Sequence, residues 1–491
     1  MKFRILLMMI ISSNALALEL YVDKKTQQLF AEPGDGRILL GSFEKKEEVD
    51  KLKEEFSLSK NQLNALDEHI KDPTEGKLQI NDKGIKFESK DGNFEMAING
   101  RMQVDSQMNV ADSGVTTGNS PTSSTQLADG TTIRRARIGV EGTYYKDFQY
   151  KFEYDFARGN GTTAAGITDA YINWVGYEPL GVKVGSFKEP FSLEEATSNR
   201  WTTFIERNMA VNAFSDGPNA YKSGIGLTWS QPRWTAAGAL MTEPVGAGWG
   251  YTSAKNTNGA ANRNGGSGDT GWELTGRVTG LPWYADKTHF LHIGASGSER
   301  YFNNQSNATN FKFAAALNSN VDRSNILDTG TLTAANLTMT RMGGESAIVY
   351  GPFSAQAEYI QADISGTGFT SESMNGYYGY VSYFLTGESR AYKAKTGAWD
   401  RIKPNKNFSL KNGGLGAWEI ASGYDYLDLN DKTLKGGRAS TAKFGVNWYP
   451  NSHLKVMANY IHALEIQAPS TGKGYDGSNL DMFEMRAQVD F

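Results

Sequence analysis

The chain has 491 residues, 39% hydrophobic and 12% aromatic, with 54 glycines, 13 prolines and no cysteine. A formal charge of −4 argues against a general nucleic-acid binder. A mean hydropathy of −0.48, with no long apolar stretch past the first residues, argues against membrane-spanning helices. Abundant Gly, Tyr, Phe and Trp at this hydropathy instead suits strands in which only every second residue must be apolar. Without disulfides, stability has to come from the sheet.

Residues 1–17 read as an export signal. Lys2 and Arg4 precede an apolar run over 5–11, and Ala15, Leu16 and Ala17 offer small residues for cleavage after Ala17. The competing reading is a buried N-terminal helix. Gly34 and Asp35-Gly36 mark a turn. Within 44–70, Val49, Leu52, Phe56, Ser59, Leu63, Leu66 and Ile70 are spaced alternately by 3 and 4 among Lys and Glu. That seam predicts a short coiled coil, which would need neighbouring copies of the chain; an amphipathic helix lying against the rest of the protein is the alternative. Pro73, Gly76, Asp82 and Gly84 break the helical period. The expected division is a signal over 1–17, a periplasmic segment over 18–92 and a barrel over 93–491.

The first strand falls at 94–108, with Arg101, Gln103 and Asp105 on its polar face. A Ser/Thr/Gly-rich loop leads to a second strand at 133–145, in which Arg135 and Arg137 share the polar face. Arg134 falls on the apolar one, which places it at a rim or beside a bulge. In the third strand Phe148, Tyr150, Phe152, Tyr154 and Phe156 form one row and Gln149, Lys151, Glu153 and Asp155 the other. Burying those charges in a dry sandwich would be costly, whereas a water-filled lumen accepts them. A hairpin at 170–175 and 180–187 turns at Glu178-Pro179.

Residues 188–221 then lose the period of two. Arg200, Arg207, Glu194, Glu195 and Glu206 lie in this stretch, which reads as an inward-folded loop or a charged surface loop. Further on, short turns at 231–233, 281–287, 351–352 and 449–452 alternate with long polar loops near 243–270, 299–341, 363–375, 430–441 and 464–478. The long basic stretch 386–416 is the exception, since parity puts it on the short-turn side. The last strand alternates Phe483, Met485, Ala487, Val489 and Phe491 with Glu484, Arg486, Gln488 and Asp490. On its own it could edge a soluble sandwich. With the rest, it predicts an all-β fold: a 16-stranded antiparallel transmembrane β-barrel preceded by a helical, coiled-coil-like segment.

Several blocks carry a family likeness: Asn99-Gly100-Arg101-Met102-Gln103-Val104-Asp105, Ile133-Arg134-Arg135-Ala136-Arg137, Phe191-Ser192-Leu193-Glu194-Glu195-Ala196-Thr197-Ser198, Ile205-Glu206-Arg207-Asn208 and Phe444-Gly445-Val446-Asn447-Trp448-Tyr449. In this order, the chain resembles the phosphate- and polyphosphate-selective porins of Gram-negative outer membranes, the porin O and P family. The resemblance implies a homotrimer in outer-membrane lipid, each barrel with its own pore, an inward third loop and an arginine ladder leading small anions such as phosphate to a constriction. It assigns Arg101, Arg134 and Arg135 to ladder or rim positions, Arg207 to the constriction, and Lys183 and Arg300 to further basic positions. The sequence departs from the family at three places: Glu195 replaces a lysine, Thr168 an aspartate and Gly423 an arginine.

Guanidinium groups suit such a role, because their fork donates paired hydrogen bonds to oxyanions and stays charged. Arg101, Arg135, Arg200 and Arg207 are the strongest candidates, each weighed against a wall residue neutralised by a neighbouring Glu or Asp. The five histidines are dispersed, and no phosphate-cradling loop, dinucleotide fingerprint or zinc motif is present. The expected protein is a channel and not an enzyme, with no cofactor. A general or other-solute porin and a structural barrel with little transport remain the alternatives.

Overall fold

The computed structural model describes residues 18–43, 54, 57–58, 60–61, 76–81, 84–111, 127–158, 166–215, 221–242, 271–302, 311–322, 324–467, 469, 477 and 479–491. The chain divides into two compact units between Lys77 and Leu78.

In the first unit, Leu18–Asp23 is the middle strand of a three-stranded antiparallel sheet with Leu29–Phe30 and Arg37–Phe43. The turn expected at Asp35-Gly36 leads into the third strand, and Gly36 has a positive φ of 83° that glycine adopts without strain. The export signal and every seam position of the expected coiled coil lie outside the described residues. Glu54, Ser57, Leu58, Lys60 and Asn61 are helical.

The second unit is a closed antiparallel barrel of sixteen long strands among the described residues. They are β1 (Phe94–Ala111), β2 (Gly130–Tyr144), β3 (Phe148–Asp155), β4 (Gly166–Tyr177), β5 (Leu180–Lys188), β6 (Tyr221–Ser230), β7 (Trp234–Met241) and β8 (Trp272–Asp286). The remainder are β9 (His289–Tyr301), β10 (Ala335–Tyr350), β11 (Phe353–Thr367), β12 (Phe369–Phe384), β13 (Ala417–Asn430), β14 (Lys435–Asn451), β15 (Leu454–Gln467) and β16 (Leu480–Asp490). Each pairs with its sequence neighbour, and β16 closes on β1 from Leu480↔Ala111 to Asp490↔Arg101. Because β16 ends there, the first residues of β1 would lack a partner. The short strand Gly84–Glu88 takes that place, from Ile85↔Ile98 to Glu88↔Glu95, so residues assigned by sequence to the preceding segment join the barrel sheet.

The alternation read from sequence has the expected faces. On β16, Phe483, Met485 and Phe491 point outward with 44%, 57% and 47% exposure, while Glu484, Arg486, Gln488 and Asp490 are buried. On β3, Phe148 and Phe152 are exposed and Glu153 and Asp155 buried. An outward apolar face needs no water, and an inward polar one finds partners across the lumen.

The strands exceed the expected ones at two hairpins. β8 runs through the turn expected at 281–287 as far as Asp286, and β11 and β12 replace the loop expected at 363–375 with a turn at Gly368. The Gly, Ser and Thr content there resembles a loop, but ladder bonds from adjoining strands hold low-propensity residues extended.

Among the described residues, three connections fold into the barrel: 189–220 after β5, 302–334 after β9 and 385–416 between β12 and β13. At the long-loop end the inward wall positions Leu427, Ile461, Leu480 and Met482 are themselves apolar. They pack on Met209, Phe214, Phe313 and Leu317 from the first two connections. Part of the lumen is therefore a hydrophobic core, whose burial supplies the main driving force for docking the loops.

Candidate pore constriction

The inward loop 189–220 carries two short helices, α1 (Leu193–Ala196) and α2 (Met209–Phe214). Its backbone has little secondary structure of its own to satisfy it, so the wall supplies partners. Glu358 on β11 accepts the N–H groups of Leu193 and Glu194 at 3.0 and 2.7 Å, and Asp425 on β13 accepts that of Met209 at 2.8 Å. The carbonyls of Asn199, Thr202, Thr203 and Ile205 accept from Gln103, Lys455, Asn447 and Arg486 at 3.1, 2.6, 2.9 and 2.5 Å. Arg341 on β10 donates to Phe214 O at 2.5 Å. These donors and acceptors come from strands all around the barrel, which hold the loop across the lumen.

Charge is arranged in knots, each centred on a carboxylate. Glu153 collects Arg101 at 2.7 Å, Arg137 at 2.8 Å and Arg200 at 3.6 Å. Glu206, on the loop, collects Arg134 at 2.7 Å, Arg486 at 2.7 Å and Arg135 at 3.8 Å. Burial by itself would raise the Glu206 carboxyl, but Arg134, Arg135 and Arg486 outweigh it and hold the group well below the usual carboxylate range. Glu195 lies between Lys188 at 2.5 Å and Arg207 at 3.3 Å. A fourth knot joins Arg341 and Lys222 to Glu189 and Glu273.

Thus Arg101, Arg134, Arg135, Arg200 and Arg207 come together on or beside the loop, each facing a carboxylate. Lys183 and Arg300 lie apart from that group; Arg300 is buried on β9 with its guanidinium 4.6 Å from the Phe302 ring centre. The off-parity arginine has a structural cause. Gln103 pairs with Arg135 and Val104 with Ile133, so Arg134 is the extra residue of a bulge, free to reach Glu206. Sequence reasoning put Arg486 on the lumenal face without giving it a site role; its bonds to Asp105 at 2.6 Å and to Glu206 make it a principal clamp. Long-range pairing, which no local motif records, was the missing signal.

The three departures from the family pattern are each accommodated. Thr168 donates its hydroxyl to Glu153 Oε1 at 2.8 Å. Glu195 is fully buried in its knot. A Cβ at Gly423 would lie 2.8 Å from the Tyr380 Cβ and 3.3 Å from the Phe204 ring, so loop residue Phe204 occupies the room a longer side chain would need.

From the short-turn end to the loop runs a cavity of about 1170 Å³. Its wall is kept open by small residues such as Gly181, Gly226 and Ala237. Six cations, Lys146, Lys183, Lys188, Arg277, Lys393 and Lys395, line it against two carboxylates, Glu178 and Glu189. The Lys183 ammonium lies 4.4 Å from the Tyr171 ring centre and forms no salt bridge among the described residues.

Two of the cations come from the segment 385–416, which parity left unexplained. It rises from the short-turn end to meet the loop. Trp399 donates its indole N–H to Gln356 at 2.6 Å and its backbone N–H to Thr197 at 3.3 Å. Arg390 stacks on the Trp399 ring at 3.8 Å, and Arg277 donates to Gly397 O at 2.7 Å. Lys395 pairs with Glu178 at 2.9 Å.

The family model described as phosphate-selective porin O and P matches residues 96–491. Porin O of Pseudomonas aeruginosa is 28% identical over 440 residues, spanning 83% of this chain and 91% of that protein. An uncharacterized protein of Caulobacter vibrioides is 28% identical over 391 residues, spanning 79% and 72% respectively. Among solved structures, an anion-selective porin from Comamonas acidovorans aligns with a TM-score of 0.49 at 12% identity, over 81% of this chain and 100% of that one. The chain, a barrel of the outer membrane, belongs to the phosphate-selective porin O and P family.

Proposed function

We propose that this protein is a passive diffusion channel that prefers small anions, with oxyanions such as phosphate or polyphosphate among its solutes. The observation that carries the reading is the cation excess of the cavity, six cationic side chains to two carboxylates, in a space bounded by low-dielectric walls. Such a lining focuses a positive potential and raises the local anion concentration, while separate cations hold an ion too weakly to trap it. Membership of the porin O and P family supports the same reading.

Among the sequence candidates, Lys183 contacts passing anions directly. Partly exposed Arg134 and Arg200 offer their free edges, and Arg101, Arg135, Arg207 and Arg300 set the background field and the shape of the loop. The working unit is a homotrimer in outer-membrane lipid, with the N-terminal segment in the periplasm; crosslinking of the intact protein tests the assembly.

Reversal potentials across a planar bilayer in a KCl gradient test the selectivity. Chloride preference is expected, and cation preference would overturn it. A second reading, a barrel with little transport, draws on the inward segments 302–334 and 385–416. Reproducible single-channel conductance would eliminate it.

A further inference from the structure

The loop 189–220 bears four glutamates, Glu189, Glu194, Glu195 and Glu206, all buried. Glu189 and Glu206 bind cations of the wall strands, and Glu194 accepts the backbone and side-chain N–H groups of Asn208 at 3.0 and 2.8 Å. Those three hold the loop in shape or against the wall. Glu195 differs. Its two cations belong to the same short stretch, Lys188 at its start and Arg207 beyond α1.

Both cations are anchored independently of that carboxylate. Lys188 Nζ donates to the backbone carbonyl of Glu195 at 3.0 Å, and Arg207 donates to the carbonyls of Glu194 and Thr197, each at 3.0 Å. Lys188 also lines the cation-rich cavity with 19% of its side chain exposed, so ions in the cavity can reach it. An ammonium and a guanidinium converging on one carboxylate is the arrangement that would hold a free oxyanion. Here the anion is covalently part of the chain.

We propose that Glu195 is a tethered counter-ion that occupies an oxyanion site between Lys188 and Arg207, and that it sets the channel toward fast, weakly held anions. This rests on the anion-channel reading above. Without the carboxylate, two buried or half-buried cations would face each other uncompensated. A mobile anion from the cavity would then be drawn in to replace it.

The test compares full-length wild type with Glu195→Gln, a near-isosteric change, in planar bilayers, using inorganic phosphate as a blocker of chloride current. Phosphate should block the E195Q channel at roughly ten- to a hundredfold lower concentration than wild type, the range one charge-assisted hydrogen bond supplies. Lys188→Gln added to E195Q should abolish that gain. Glu195→Asp, which keeps the charge but withdraws it by one methylene, should give a smaller shift in the same direction and serves if E195Q does not assemble. An anion-selective wild type whose E195Q and E195D forms keep the wild-type block overturns this inference alone. A cation-selective wild type overturns the anion reading on which it rests.

Discussion

Gly100 and Phe491 join the two ends of the barrel wall. The Gly100 N–H donates to Phe491 O at 3.0 Å and the Phe491 N–H to Gly100 O at 3.1 Å. The Phe491 ring covers the glycine so closely that a Cβ there would lie 2.5 Å from it. Gly100→Ala is therefore expected to push the ring aside, and Gly100→Val to push it further. The expected loss is about 1–3 kcal/mol, read as a lower temperature for the loss of the heat-resistant folded band on gels. Unchanged thermal behaviour of both variants would show that the closure does not depend on this contact.

Arg486 should be the costliest of the clamps to remove. Arg486→Met leaves Asp105 without its bidentate partner and Glu206 with one cation fewer, inside the barrel. Breaking a buried pair of this kind costs roughly 3–5 kcal/mol. The expected outcome is reduced thermal stability together with noisy, variable single-channel currents as the loop loosens. Steady wild-type currents would deny Arg486 this positioning role.

Acid should spare this clamp. The Glu206 carboxyl, on the inward loop and not in a strand, is held far below its ordinary value of 4.5. A depressed value means that its stabilisation is fully present above the unfolded value and is lost as pH falls through the folded one. Current noise should thus stay constant from neutral pH down to about pH 4. Noise that sets in just below the ordinary carboxylate value would contradict the geometry of the knot.

Lys183 predicts a salt-dependent effect. Lys183→Gln should lower chloride conductance in dilute KCl, with the difference shrinking toward 1 M, where the screening length is about 3 Å. Equal effects at low and high salt would point to a steric cause.

Trp399 pins the segment 385–416 inside the barrel through Gln356 and Thr197. Replacing a buried tryptophan by alanine costs about 3–5 kcal/mol where the site cannot collapse. Here the segment can withdraw toward the short-turn side. Trp399→Ala should therefore raise mean conductance and current fluctuation while leaving the barrel's thermal transition nearly intact. A lowered transition at unchanged conductance would assign Trp399 to the barrel core instead.

The architecture was written locally. A period of two sustained through β3 and β16 assigns every residue to an inner or outer face, because adjacent side chains of a strand must point in opposite directions. The aromatic row at Phe148 and Phe152 and the charged row at Glu153 and Asp155 therefore left little choice of solvent on either side. Even the misfit of Arg134 with that period was readable as a bulge.

The state of the lumenal charges was not legible in this way. Glu153 meets Arg101 across 52 residues, and Gln488 meets Gln103 across 385. Sequence could name those residues as inward but not as partners. It likewise marked 386–416 as long and basic without showing that Trp399 reaches Thr197, or that Phe204 stands against Gly423. Side-chain alternation and turn spacing depend on near neighbours along the chain, so the sequence by itself determined the barrel, its faces and its closing strand. Whether a given arginine is spent on a carboxylate or left for an ion depends on what the closed wall and three inward segments bring within a few ångströms, and only the tertiary structure decided that.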